Sequence, residues 1–267
     1  MITTPIFAKM SPAIVHTPGL FASCAKVSLP DPTVLNHIMG GVMFRFTGPQ
    51  LGPVELRVLQ GLVGFAGLQC PNSRATCEDN PPEDLQRLLC HRAVVRTTTN
   101  KLAEVIGYRA NSGSAQTSIR RAVQKLASVS ISIRQTNLLD TSDMSAGNMI
   151  SANASSRHID VELGSILAAA IHGGRGTYLR LDIPETRKLH SDAARLLHHR
   201  LHWINTGSTR DVSLHKMIGY VWSDEEVSDS AQRTRRQVLR RSLSELVSSG
   251  WSVAERGDLY QIGRPRI

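Results

Sequence analysis

The sequence predicts a helix-rich α+β fold of tandem winged helix-turn-helix domains, on three observations. First, a pattern recurs: Ile106-Gly107-Tyr108, Ser114-Ala115-Gln116 and an arginine-bearing stretch from Thr117 to Ser130 return as Ile218-Gly219-Tyr220, Ser230-Ala231-Gln232 and Arg233 to Ser249. Second, the last stretch of each copy places apolar residues at helical spacing and cationic or amide residues on the opposite face. Third, β-rich sequence follows both. The order in each copy is helix, turn, helix, wing.

Residues 1–39 are Pro-rich and weakly periodic, and they read as an N-terminal arm or an irregular packing segment. A first domain with its connection is expected over residues 40–182 and a second over 183–267, sizes usual for independent cores. Val42 to Phe46 reads as a strand. After Gly52-Pro53, Leu59, Leu62, Val63 and Ala66 predict a helix from Val54 to about Gly67, because proline suits a first turn. Residues 69–90 read as a loop and His91 to Thr97 as a strand. Thr99 or Asn100 can cap a helix from Lys101 to Ile106, and Ser112 or Ser114 can cap the next.

Alternation of Val129, Ile131 and Ile133 with Ser130, Ser132 and Arg134 predicts a half-buried strand that starts the first wing. A polar loop from Asp140 to Gly147 precedes strand candidates at Asn148 to Ser151 and His158 to Leu163. The connection runs through Ile166 to Ile171, a glycine turn at 173–176 and a strand at Tyr178 to Leu181. A helix from Ser191 to Ile204 opens the second unit, burying Ala194, Leu197, Leu201 and Ile204. Ser213 caps the helix from Leu214 to Tyr220. Trp251 to Glu255 and Leu259 to Gly263, joined by Arg256-Gly257-Asp258, form the second wing as a hairpin.

The second helix of each copy holds the candidate DNA-binding residues. In the first, Ile119, Ala122, Val123 and Leu126 form the apolar stripe, while Thr117, Arg120, Arg121, Gln124 and Lys125 face away. In the second, Leu239, Leu243, Leu246 and Val247 form the stripe, while Arg233, Arg236, Gln237, Arg240, Arg241 and Ser244 lie opposite, with Arg256 at the hairpin tip. Arginine can donate two bonds to guanine O6 and N7, and glutamine pairs similarly with adenine. Charge on a helix is usually a solvated face, and one such helix would leave the two readings level. Two in equivalent places favour recognition. A formal charge of +9 over 267 residues suits a polyanionic partner, since neutralised phosphates release counterions.

No apolar run approaches the length of a membrane span, and Met1 to Ser11 lacks the pattern of a secretory leader, so a cytoplasmic location without membrane attachment is expected. Cys24, Cys70, Cys77 and Cys90 include no Cys-x-x-Cys pair, and with His91 they match no zinc ribbon or finger. His198 and His202 stand four apart on one helix, but spacing supplies no third ligand, so structural roles are expected and no metal or other cofactor is called for. His199 and Arg200 are expected near solvent or phosphate. Enzymatic readings lack parts: no His-x-His motif for a strand-nicking centre, and no phosphate loop for an ATP-driven helicase.

Pro18-Gly19-Leu20-Phe21, Gly48-Pro49-Gln50-Leu51-Gly52 with Leu56 to Val63, Ala194-Arg195-Leu196-Leu197-His198, Gly219-Tyr220-Val221-Trp222 and Glu245-Leu246-Val247 through Gly250-Trp251 carry a resemblance. The chain resembles the RepC replication initiators of IncQ-type broad-host-range plasmids from about residue 17 onward, most strongly over 191–265; the cysteine-bearing loop and residues 135–156 depart from the pattern. The resemblance implies a non-enzymatic protein that binds direct repeats (iterons) in double-stranded origin DNA, promotes local opening and admits a separate helicase and primase. A homodimer is compatible with it. A two-domain winged-helix repressor would use the same recognition residues, and a module docking on an acidic protein would use the same charge.

Overall fold

The computed structural model describes residues 4–23, 32–69, 89, 91–136, 143–154, 158–173, 178–223 and 227–266. All four cysteines, most of the loop expected at 69–90, and residues 174–176 of the glycine turn lie outside the described residues.

Helix α2 (Pro53–Gln69) is buried at every position from Glu55 to Ala66. Such a helix must be covered on all sides, and β1 (Phe7–Met10), β4 (Ala93–Thr98), α3 (Thr99–Val105), α4 (Gly113–Ala127) and α5 (Ser165–His172) pack around it. Gly61 lets α3 approach, since a Cβ there would lie 2.7 Å from both Ile106 Cγ2 and Leu102 Cδ1. Arg57 is accommodated inside by donating to the Ile106 carbonyl and lying 4.2 Å over the Tyr108 ring.

The two copies share one sheet order, although in the first the strands Ser130–Gln135 and Met144–Asn148 of another sheet intervene between the second helix and the hairpin. In the first, β4 runs into α3, α4 follows, and a hairpin of β7 (Ile150–Ala154) and β8 (His158–Leu163) returns to pair with β4, giving strand order β4-β8-β7. In the second, α7 (Asp192–Leu201) precedes β10 (Thr209–Ser213), α8 (Leu214–Val221), α9 (Asp229–Ser248) and the hairpin β11 (Ser252–Arg256) and β12 (Leu259–Gly263), with order β10-β12-β11. Each sheet places the strand before the helix pair beside the last strand of the hairpin. Ser213 caps α8 as expected and Ser112, one of the two candidates, caps α4; Ser191, expected as the first residue of its helix, caps α7 instead, and α3 is capped by Thr98, upstream of the expected Thr99 or Asn100.

Several expectations need correction. The strand over Val129 to Ile133 does not start the first wing: β5 (Ser130–Gln135) pairs with β3 (Val42–Gly48) and β6 (Met144–Asn148) in a four-stranded sheet of order β2-β3-β5-β6. Period-two alternation identifies a half-buried strand but not its partner; Phe46 opposite Ile131 and Phe44 opposite Ile133 are what select β3. The loop expected at Asp140 to Gly147 contains β6, whose register shift against β5 coincides with Gly147 at φ +78°, a bulge geometry open to glycine. Ile166 to Ile171 belongs to helix α5.

The described residues of the expected arm, 4–23 and 32–39, are built into the body. β1 pairs with β9 (Leu179–Asp182), α1 (Pro12–His16) buries Ala13, Ile14 and Val15, and β2 (Thr33–Met39) extends the β3 sheet. The prolines punctuate these elements: Pro12 opens α1 and Pro5 packs near Gly64 of α2. Among the described residues 44% are helix and 30% strand, a mixed α+β composition for which helix-rich is an overstatement. Among the described residues no helix is long and apolar enough to cross a membrane.

Gly61→Val should overpack the α2–α3 contact and destabilise the chain by about 1–3 kcal/mol, read as a lower denaturation midpoint with an unchanged slope.

Candidate nucleic-acid interface

α9 turns Leu239, Leu243 and Leu246 inward, and Arg233, Arg236, Gln237, Arg240, Arg241 and Ser244 are all exposed. Val247, expected in the stripe, is 49% exposed; Ser242, fully buried and donating to the Val238 carbonyl, takes an inward position instead. Arg240 leans on the hairpin, 3.9 Å from Glu255, and Tyr260 donates to Glu255 at 3.0 Å. A hydrogen bond with Tyr260, reinforced by both groups' charge, raises the pKa of Arg240 further above its ordinary value. Five guanidinium donors allow one side to hold the wing while others stay available. Arg256 is exposed beside the two-residue turn Gly257-Asp258, where Gly257 has φ +60°.

α4 buries the expected Ile119, Ala122, Val123 and Leu126 and exposes Thr117, Arg121, Gln124 and Lys125, with Arg120 half-buried. Lys125 bends back toward the start of α2, 3.9 Å from Glu55 and 3.4 Å from the Gln50 carbonyl. Asn100 and Gln116 were missed as site residues: Gln116 donates to Asn100 at 3.0 Å, and Asn100 donates at 2.7 Å to Asn111, which adopts φ +66°. This amide relay fixes the N-terminal end of α4. The repeated Ser-Ala-Gln pattern pointed to Gln116, but its partners come from the preceding helix and turn.

A groove of about 900 Å³ lies between α8, α9 and the second hairpin, with Trp222, Arg235, Arg236, Arg240, Glu255 and Tyr260 among its walls. Arg235 is buried, stacking 5.3 Å from the Trp222 ring, so it supports the wall rather than facing outward. The groove therefore has a cationic side on the helix and an acidic side on the hairpin.

A family model for replication protein C (RepC) matches residues 5–266. The chain belongs to the RepC family. No curated protein is significantly similar to it. Among solved structures, selenomethionine domains 2 and 3 of RctB match with a TM-score of 0.55 at 11% identity, covering 94% of this chain and 97% of that one. A second structure of RctB domains 2–3 matches with a TM-score of 0.52 at 12% identity, covering 90% and 92%. At such identities the likeness is one of fold.

In this RepC-family chain the histidines depart from expectation. His199 is buried away from solvent, and Arg200, half-buried, is turned inward, donating to the Val15 carbonyl at 2.6 Å and lying 4.9 Å from the Tyr220 ring. Their helix is covered on one side by α1, a contact that the helix's own periodicity could not reveal. His198 and His202 are buried beside Glu185 of α6 (Ile183–Lys188), a neighbour that spacing did not supply.

Burial first, then the charges of Arg200 and His37, push the pKa of His16 down to about 4 from 6.5. Its folded-state value lies below the unfolded one, so its contribution is present above about pH 6.5 and is lost as pH falls toward 4. Urea midpoints should therefore decline over that range. His16→Gln should make the decline shallower, and a wild-type midpoint constant across it would contradict the assignment.

Proposed function

We propose that this RepC-family chain is a plasmid replication initiator of the IncQ-like kind, binding direct repeats in double-stranded origin DNA through two winged helix-turn-helix domains within 40–182 and 183–267. The observation that carries this reading is the repeated sheet order, in which the strand before a helix pair lies beside the last strand of a hairpin in both copies, with β5 and β6 inserted in the first, and each second helix exposes cations and amides. Membership of the replication protein C family supports the biological setting. The fold likeness to RctB extends over two named domains and nearly the whole chain, which supports a two-unit reading.

The chemistry divides between the parts. Arg233, Arg236, Gln237, Arg240 and Arg241 of α9 read base edges in a major groove, and the α4 face with Thr117, Arg120, Arg121 and Gln124 reads a second groove about one helical turn away, giving a site of roughly 20 base pairs. Ser244, Lys125 and Arg256 serve the backbone. Action is non-catalytic: binding energy from several occupied repeats offsets the cost of distorting an A·T-rich segment, whose pyrimidine–purine steps deform most easily. A separate helicase and primase would then enter the opened DNA, and two copies could bind as a homodimer.

Arg240→Ala should cost about 1–3 kcal/mol of specific binding and relax preference at one or two base pairs. Arg256→Ala should weaken all sequences alike and reduce the salt slope by about 1. A preferred repeat altered by Arg256→Ala, with the slope untouched, would reverse these roles.

Footprinting combined with permanganate tests initiation itself. The chain should make thymines beside its repeats reactive without ATP, increasingly steeply as repeats are added. Full occupancy of supercoiled repeats with no unpaired thymine, even with the cognate helicase present, would assign the same interface to a repressor instead.

A further inference from the structure

Behind α9, on the face opposite the exposed cations, Glu185 of α6 lies beside His198 of α7 and His202, the residue that caps its C-terminal end, and one ligand atom from each falls within 4.8 Å of the other two. Both imidazoles are buried. His198 and His202 are four residues apart at the end of that helix, so their rings share a face, with centroids 4.3 Å apart. Glu185 Oε2 accepts from Trp251 Nε1 at 3.2 Å and stands 3.0 Å from His198 Nε2.

Hydrogen bonding alone does not complete this cluster. His202 Nδ1 stands 2.7 Å from the His198 carbonyl. A carbonyl can only accept, so that nitrogen carries the proton and His202 Nε2 presents a bare lone pair. Nε2 is buried and has no hydrogen-bond partner. A backbone carbonyl on one ring nitrogen with the other left unprotonated is the arrangement in which proteins present histidine to a metal. The Trp251 indole likewise orients the carboxylate. Arg264, the nearby cation, is drawn aside by the carbonyls of His202, Ile204 and Arg180.

We propose that Glu185, His198 and His202 bind one first-row transition-metal dication, zinc above all. Two imidazoles and one carboxylate match that class and disfavour calcium or magnesium, which take oxygen ligands. The ion would give the orphaned His202 nitrogen a partner and clamp α6, at the end of the connection, to α7 in the core of the second unit. Its role is structural and is independent of which DNA the chain reads.

The full chain, stripped with chelator and passed through a desalting column, is titrated with zinc, and bound metal is measured by elemental analysis beside the thermal midpoint. Cobalt(II) serves as a spectroscopic probe of the ligand set. Wild type should retain about one zinc per chain, gain thermal stability and give cobalt d–d bands typical of mixed nitrogen and oxygen ligation. His202→Gln leaves the Glu185, His198 and Trp251 contacts in place and should fold, yet lose retention by at least about tenfold and abolish the cobalt bands. His91→Ala with His172→Ala removes a stacked pair elsewhere and should change neither. Zinc retained equally by His202→Gln, lost instead with the His91 and His172 pair, or not retained by wild type at all, would overturn the site.

Discussion

From Glu55 to Ala66 helix α2 has no solvent face, and much of the architecture follows from that constraint. A helix buried over twelve consecutive residues cannot be completed by the few elements of one small unit, so β1 comes from the start of the chain, α5 from the connection and α7 from the second half to close it. The apolar gain from covering such a helix offsets the ordering of these distant segments. The same packing explains why polar contacts join the halves: Ser23 donates to the Val221 carbonyl at 2.7 Å, Gln50 to Ser223 at 3.0 Å, and Arg264 to the Arg180 carbonyl at 2.7 Å. Most use backbone carbonyls, acceptors whose position is set by chain geometry rather than by side-chain rotamers.

The copies differ where function would differ. α9 has twenty residues and presents an almost uninterrupted cationic face, while α4 has fifteen and commits Lys125 to Glu55. Cations already held inside the protein neutralise fewer phosphates. The amide relay through Asn111, Asn100 and Gln116 ties the N-terminal end of α4, the end that would meet base edges in the proposed winged arrangement, to the preceding helix and turn. Electrostatic attraction would thus come mainly from the second unit, and the first would contribute register.

Local patterns were readable wherever one element carried its own signal. Leu59 to Ala66, the inward faces of α4 and α7, the Ser112 and Ser213 caps and the second hairpin all lie where the residues place them, because period and capping depend on near neighbours in sequence. Partner choice was not readable. β5 alternates like a wing strand but joins β3, and His199 looks like a solvent-facing member of a polar helix until α1 covers it. Val247 failed for a related reason: helical spacing tolerates an apolar residue at the edge of the stripe, and only the neighbouring surface decides whether it is covered. Of the candidate interface, the exposed arginines were legible, while the Arg240–Glu255–Tyr260 tie and the Asn100 relay required tertiary geometry.

That tie bears on how an opening event could be transmitted. Arg240 connects α9 to the hairpin through Glu255, and both side chains are more than half exposed although Tyr260 behind them is buried, so the ion pair itself is weak and readily exchanged for other contacts. The helix beneath it is not: Leu239, Leu243 and Leu246 anchor α9 in the continuous core that also contains α2. A rigid helix with a loosely held wing would let base contacts retain register while the hairpin follows a backbone that bends or widens. Strain would then accumulate in the DNA, the softer partner, as neighbouring repeats fill. Such an asymmetry would suit the non-catalytic opening proposed for the chain.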